Sequence, residues 1–186
     1  QNGEIIAQSN EKTLSRKSLA YENGRMKIIT GQLGYGYAYN AAKEDDWKQK
    51  NPENFHSSVL AEKDCTLIPR PIKKQVLAPM IEAKEIRNAG KRNYIFDLGK
   101  EVVGLFSLSI TSKTEQRLTI SYSEHLENGE VYRIVGKRDF SFDYTTKVGE
   151  NQYVNPFLRL ACRYIGIVCE DEIDVQKIGL IPQSYP

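Results

Sequence analysis

The chain has 186 residues, with 26 Lys and Arg against 24 Asp and Glu and a formal net charge of +2. With 40% hydrophobic and 27% charged residues the composition is that of a globular domain, which excludes wholesale disorder. The near-neutral balance offers no field for nucleic acid, and no apolar run approaches the ~20 residues of a membrane helix. At this length one domain, with or without a lead-in, buries roughly 70% of the surface its unfolded chain exposes and needs no metal or disulfide staple. A start at Gln1 rather than Met marks a fragment or a processed form, and a removed export signal is compatible with it.

Residues 1–62 read as a lead-in segment, expected to pack in part on the domain that follows. Within it, 25–30 is a strand candidate, and Asn23-Gly24 ahead of it is a tight-turn dipeptide because both residues tolerate positive φ. Gly34-Tyr35-Gly36-Tyr37 lacks the Lys-Ser/Thr and the helix of a phosphate loop and reads as a turn with aromatic cover. Residues 41–63 are polar, hold the single tryptophan, Trp47, and show no clean period. A structureless loop of that length is uncommon in a compact domain, so the segment contains a short helix or leads in from a preceding domain.

From residue 63 to 186 the dominant period is two. After strand candidates at 76–83 and 94–98, residues 105–111 place Phe106, Leu108 and Ile110 on one face and hydroxyls on the other. Residues 117–123 repeat the pattern with Leu118, Ile120 and Tyr122 inward, and 139–145 repeat it again. Further candidates are 162–169 and 174–181. Turn chemistry separates them at Asn88-Ala89-Gly90, Asn128-Gly129 and Val148-Gly149-Glu150-Asn151. Half-buried strands, many and short, with one wet face predict an all-β fold: an antiparallel β-sandwich of jelly-roll, galactose-binding-like type.

Residue chemistry argues against a reactive centre. The three cysteines, Cys65, Cys162 and Cys169, cannot all pair within one chain. On a regular strand Cys162 and Cys169 lie about 23 Å apart on opposite faces, which forbids a bridge and leaves them as small buried hydrophobes. His56 and His125 stand in no ligand spacing, and Glu44-Asp45-Asp46 and Glu170-Asp171-Glu172 with Asp174 lack the alternation and glycine of a calcium loop. No nucleophile elbow is present, and glycoside hydrolysis needs two carboxylates at a set separation, which the sequence does not single out. No catalytic residue, metal or cofactor is therefore expected. Sugar contact is the stronger option, because rings stack on apolar sugar faces while polar tips orient hydroxyls. Trp47, Tyr37, Tyr132 and Arg133 are the candidates, with Tyr35 and Tyr39 beside them. Against each stands the fact that eleven tyrosines in an all-β chain serve mostly in cross-strand packing.

Several segments in order resemble the non-catalytic β-sandwich region that precedes the catalytic barrel of bacterial α-L-rhamnosidases, glycoside hydrolase family 78-like. Tyr37 to Phe55 is similar to that family's Tyr-x-Ala…Trp…Phe lead-in, and Leu67-Ile68-Pro69-Arg70-Pro71-Ile72 to its proline-arginine entry. Tyr94-Ile95-Phe96-Asp97-Leu98-Gly99, closing at Val103-Gly104, resembles its aromatic-Asp-hydrophobic-Gly strand. Ser121-Tyr122-Ser123-Glu124-His125-Leu126 with Asn128-Gly129 resembles its Tyr-x-Glu-x-Leu strand and turn, and Asp143-Tyr144-Thr145 the strand after it. Pro156 to Arg163-Tyr164-Ile165 resembles its closing strand. Two departures stand out: Val154 where a Trp is frequent, and Leu160-Ala161-Cys162 where a His-Gly pair is usual before Arg-Tyr.

The resemblance implies a jelly-roll accessory domain of a secreted or periplasmic polysaccharide-degrading enzyme. Its partners would be the catalytic (α/α)6 barrel of the same parent chain and a rhamnose-containing polysaccharide, with no nucleic acid and no membrane. The family's acid and base lie in the barrel, so no catalytic residue carries over. Such a domain braces the barrel or holds polysaccharide near the cleft. The rival readings are an autonomous lectin-like carbohydrate-binding module and an enzyme in its own right.

Overall fold

The computed structural model describes residues 10, 12–24, 34, 36–45, 54–59, 66, 68–69, 71–90 and 92–185. The strand candidate 25–30, Cys65, Tyr35 and Trp47 lie outside them. Ten strands join in one hydrogen-bonded sheet: β1 (Tyr21–Asn23), β2 (Tyr37–Asn40), β3 (Val76–Leu77), β4 (Ile81–Glu82), β5 (Lys84–Ala89), β6 (Asn93–Ser112), β7 (Arg117–Ser123), β8 (Ser141–Thr145), β9 (Gly149–Val168) and β10 (Ile173–Ser184). Their order is β1-β2-β8-β7-β9-β6-β10-β3, with β4 also on β10 and β5 on β6. The only helical element among the described residues is a 3-10 turn, Ala41–Lys43, whose start is capped by the Asn40 side chain accepting from the Ala42 N–H at 3.0 Å.

The sheet folds over on itself because β6 and β9 each run through 20 residues and belong to both layers. One layer comprises β5, the start of β6, the end of β9, then β7, β8, β2 and β1. The other comprises the start of β9, the end of β6, β10 and the short strands β3 and β4. Rings close the space between them. Phe106 meets Phe142 edge-on at 5.3 Å, and Tyr144 lies 5.1 Å from Tyr153 while its hydroxyl donates to Asn151 Oδ1 at 3.2 Å. The result is the all-β sandwich that the period-two pattern predicts. Phe106, Leu108 and Ile110 are buried between half-exposed Ser107, Ser109 and Thr111, and Leu118, Ile120 and Tyr122 are buried on β7. Each such side chain contributes about 1.5–3 kcal/mol by leaving water.

The structure corrects several details. Two strands of 20 residues, β6 and β9, stand where shorter ones were expected, because two local bulges let them turn a corner without ending. Residues 98–101 of β6 bow out opposite Arg163, and 155–158 of β9 bow out opposite Phe106, where the register shifts. The shift between Cys162 and Tyr164 resets the alternation, so Leu160 and Cys162 face inward before it and Ile165 and Ile167 after it. Cys162 and Cys169 are therefore both in the core rather than on opposite faces. Burial pushes the Cys162 thiol up to about 12 and the Cys169 thiol up to about 11. The 76–83 candidate is split at 78–80 into β3 and β4, where Pro79 has no N–H for a ladder. The β2–β8 pair is parallel, the exception to an antiparallel sheet. Asn23-Gly24 is not the turn. Its ladder continues through Gly24, whose N–H donates to the Gly36 carbonyl at 3.2 Å, and a Cβ at Gly24 would lie 2.7 Å from the Tyr37 nitrogen. Close approach of β1 to β2, not positive φ, requires that glycine.

The bend in β6 is held by one ion pair. Arg163 Nε and Nη2 donate to Asp97 Oδ1 and Oδ2, each at 2.9 Å, and the Gly99 N–H donates to the same Oδ1 at 2.6 Å. Gly99, at φ +77°, supplies the left-handed residue the bow needs, and the guanidinium rests 5.0 Å from the centre of the Tyr164 ring. The Arg163 hydrogen bonds, with the Gly99 N–H, hold the Asp97 carboxyl below its ordinary range. That stabilisation is complete above the unfolded-state value of about 4 and is lost as pH falls through the lower folded value. The denaturation midpoints of wild type and Asp97→Asn are expected to differ at pH 7 and to converge as pH falls from about 4 through the lower folded value; parallel pH curves would contradict the pairing.

Candidate functional site

Two ring-rich regions meet the requirements for sugar contact. The first surrounds β1, β2 and the bow in β9. Tyr21 lies 5.8 Å from Tyr37, 4.9 Å from Tyr39 and 5.1 Å from Phe157, which is 70% exposed. Tyr39 stacks on Tyr153 at 4.5 Å and its hydroxyl donates to Glu44 Oε1 at 2.7 Å; Glu44 in turn accepts from Lys147 Nζ at 2.8 Å. Tyr37 donates to Asn155 Oδ1, which also accepts from the Phe157 and Leu158 N–H groups at 3.1 Å. Burial raises the hydroxyls of Tyr37, Tyr39, Tyr144 and Tyr153 well above the ordinary tyrosine value, so none ionises near neutral pH. Most of these rings are committed to the protein, with Phe157 as the exposed exception.

The second region is a cleft of about 270 Å³ beyond the end of β7. Its rim is a strap of two small hairpins, Leu126–Glu127 with Glu130–Val131 and Ile134–Val135 with Arg138–Asp139. The first turns through Asn128 and Gly129 at φ +51° and +78°, the two-residue turn read from the sequence. Arg87 reaches from β5 to hold it, donating to the Gly129 carbonyl at 2.7 Å and to Glu130 Oε1 at 2.5 Å. Arg133 ties the strap together, donating to Asp139 Oδ1 at 2.5 Å and Ser141 Oγ at 3.2 Å.

Tyr122, Phe140, Val135 and Ala161 supply the apolar lining of the cleft, and Ser123, Glu124, His125 and Tyr132 the polar part. Tyr122 meets Phe140 edge-on at 5.7 Å, and His125 lies over Tyr132 at 4.8 Å. Tyr122 is 6% exposed, and its hydroxyl makes no hydrogen bond among the described residues. Burial, with smaller contributions from Cys162 and Asp139, pushes it up to about 12. Glu124 is the single carboxylate in the lining, whereas hydrolysis of a glycosidic bond takes two. No group of His, Cys, Asp and Glu suited to a metal stands among the described residues.

Of the residues chosen from sequence, Tyr132 lines the cleft, Arg133 braces its strap, and Tyr37 and Tyr39 sit in the β1–β2 ring cluster; Trp47 and Tyr35 are outside the described residues. Sequence reasoning passed over Tyr122, Glu124, His125 and Phe140. The period placed Tyr122 inward correctly, but only the fold shows that its polar end reaches a hollow.

The fold is a β-sandwich of the concanavalin-like class. A family model described as "Bacterial alpha-L-rhamnosidase concanavalin-like domain" matches residues 87–179, half of the chain, and the chain belongs to that family. Solved structures agree in fold. An alpha-L-rhamnosidase from Aspergillus terreus superimposes with a TM-score of 0.70 at 15% identity, covering 97% of this chain and 21% of its own. The alpha-L-rhamnosidase from Dictyoglumus thermophilum gives 0.68 at 17% identity, over 82% of this chain and 18% of that one. The Streptomyces avermitilis alpha-L-rhamnosidase, complexed with L-rhamnose, gives 0.67 at 19% identity over 81% and 16%. The chain thus spans about a fifth of the length of these enzymes. No curated protein sequence matches it.

The junction between the ring cluster and the β9 bow gives a direct test. Asn155→Ala strands two backbone donors and the Tyr37 hydroxyl and is expected to cost about 2–3 kcal/mol in urea unfolding, against about 1 kcal/mol for Tyr37→Phe. Equal costs would contradict the role given to Asn155.

Proposed function

We propose that this chain is an accessory, non-catalytic domain of an α-L-rhamnosidase, which braces the catalytic (α/α)6 barrel of its parent chain and contacts rhamnose-containing polysaccharide. The observation that carries the reading is family membership combined with superposition on about a fifth of several α-L-rhamnosidase chains. Bracing is favoured by an exposed apolar edge. Val76 and Leu77, 47% and 59% exposed, lie on β3 against Ser184 and Gln183 of β10, with Tyr185, 54% exposed, next in the chain. Apolar side chains grouped at a sheet edge are the kind a neighbouring domain covers. Contact with polysaccharide is favoured by the cleft, and it works through effective concentration even when each contact is weak. A secreted or periplasmic setting follows from a polymeric substrate. No helix among the described residues is long and apolar enough to cross a membrane.

Two measurements test this. The chain alone is expected to hydrolyse an aryl α-L-rhamnoside no faster than buffer, and turnover above that rate would contradict the accessory role. In a chain that carries both domains, Leu77→Asp is expected to lower the melting temperature of the catalytic domain by several degrees. An unchanged melting temperature would contradict bracing through the β3–β10 edge.

A further inference from the structure

We propose that the cleft between the end of β7 and the Leu126–Asp139 strap is a subsite for one 6-deoxyhexose residue, with Tyr122, Glu124 and His125 as its polar contacts and Phe140, Val135 and Ala161 as its apolar wall. The inference rests on the polysaccharide-contact part of the proposed function and names the place and the chemical class.

Size comes first. At about 270 Å³ the cleft falls just under the range of drug-sized ligands and suits a single pyranose ring rather than an oligosaccharide. Two larger hollows do not compete. The one of about 410 Å³ lies along Ser107, Ser109 and Gln152, the solvated face of the second layer, and the one of about 450 Å³ lies among Glu82, Lys84, Glu85 and Lys177. Tyr153 lines the first, but its unpartnered hydroxyl is buried and does not open onto the hollow, and the one ring of the second, Phe96, has no polar tip.

Polarity comes second. A phenol whose ring is buried but whose hydroxyl is not, and which makes no hydrogen bond among the described residues, has its donor and acceptor available to whatever fills the hollow beside it. Tyr122 is that phenol. At the rim, the Glu124 carboxylate has no ion-pair partner among the described residues, while its neighbour His125 is fixed against the Tyr132 ring. A carboxylate that only accepts, an imidazole and a phenol that both donates and accepts match a set of adjacent sugar hydroxyls.

The apolar wall then decides between sugars. Phe140, Val135 and Ala161 offer no partner for an exocyclic hydroxyl, whereas a methyl group at that position is accommodated. The strap that forms the rim is held at both ends, by Arg87 and by Arg133, so the pocket is formed before anything binds.

The test is an amide-resolved NMR titration of the chain with methyl α-L-rhamnopyranoside and with methyl α-L-mannopyranoside, which differ only in the hydroxyl at carbon 6. Saturable shifts on the order of 1–10 mM are expected for the rhamnoside, centred on residues 122–125, 132 and 140, with the mannoside at least about fivefold weaker. Tyr122→Phe keeps the ring and is expected to weaken rhamnoside binding about tenfold with an unchanged melting temperature. Ala161→Leu, which fills the cleft from exposed β9, is expected to abolish binding. Saturation with shifts confined to Tyr21, Tyr37 and Phe157, and a Tyr122→Phe variant that binds like wild type, would overturn the cleft assignment while leaving polysaccharide contact in place. No saturable shift with either glycoside or with rhamnogalacturonan would overturn both. Equal affinity for the two glycosides would overturn the 6-deoxy preference.

Discussion

Everything in this fold depends on two strands changing layer without breaking. β6 and β9 run side by side through both halves of the sandwich, and each bows once where its partner does not. A bow exposes backbone groups that have left the ladder, so each needs its own partners. Asp97 supplies them at the β6 bow by gripping Arg163 with both oxygens and taking the Gly99 N–H. Asn155 supplies them at the β9 bow by accepting two successive N–H groups and the Tyr37 hydroxyl. Because the strands are continuous, bending them brings Phe106 over Phe142 and Tyr153 beside Tyr144, and the core closes. β2 pairs in parallel with β8 and its Tyr37 donates to Asn155 in the β9 bow, so residues 37–40 are part of the same sheet.

Among the described residues, burial holds Cys162 and Tyr153 protonated, and Glu44 and Asp97 are engaged with Lys147 and Arg163. The surface offers an apolar edge at β3 and β10 and a small ring-lined cleft, and the proposed function rests on those two features.

Much of this was legible from side-chain alternation. The inward sets Phe106, Leu108, Ile110 and Leu118, Ile120, Tyr122 are where period two puts them, since a strand buried on one face has no other way to satisfy its apolar residues. The Asn128-Gly129 turn was legible for the same local reason. The bulges were not, because the signal for them is spread over Asp97, Gly99 and Arg163, more than sixty positions apart in the chain. That is why the face of Cys169 was misjudged: one extra residue near Arg163 inverts every later position. The family motifs had flagged Asp97 and Arg163 separately, and the structure explains both through one ion pair. The cleft was half legible, through Tyr132, whereas Tyr122 was read as core because burial and an unmet hydroxyl look alike in sequence.

The central claim is that strands shared between the layers make the sandwich one cooperative unit. Native-state hydrogen exchange tests it most directly, by comparing amides at 94–97 and 165–167 in one layer with those at 106–112 and 151–153 in the other. The account predicts that both sets converge on a single global opening free energy as denaturant rises. Two separate isotherms, one layer opening while the other stays protected, would contradict it.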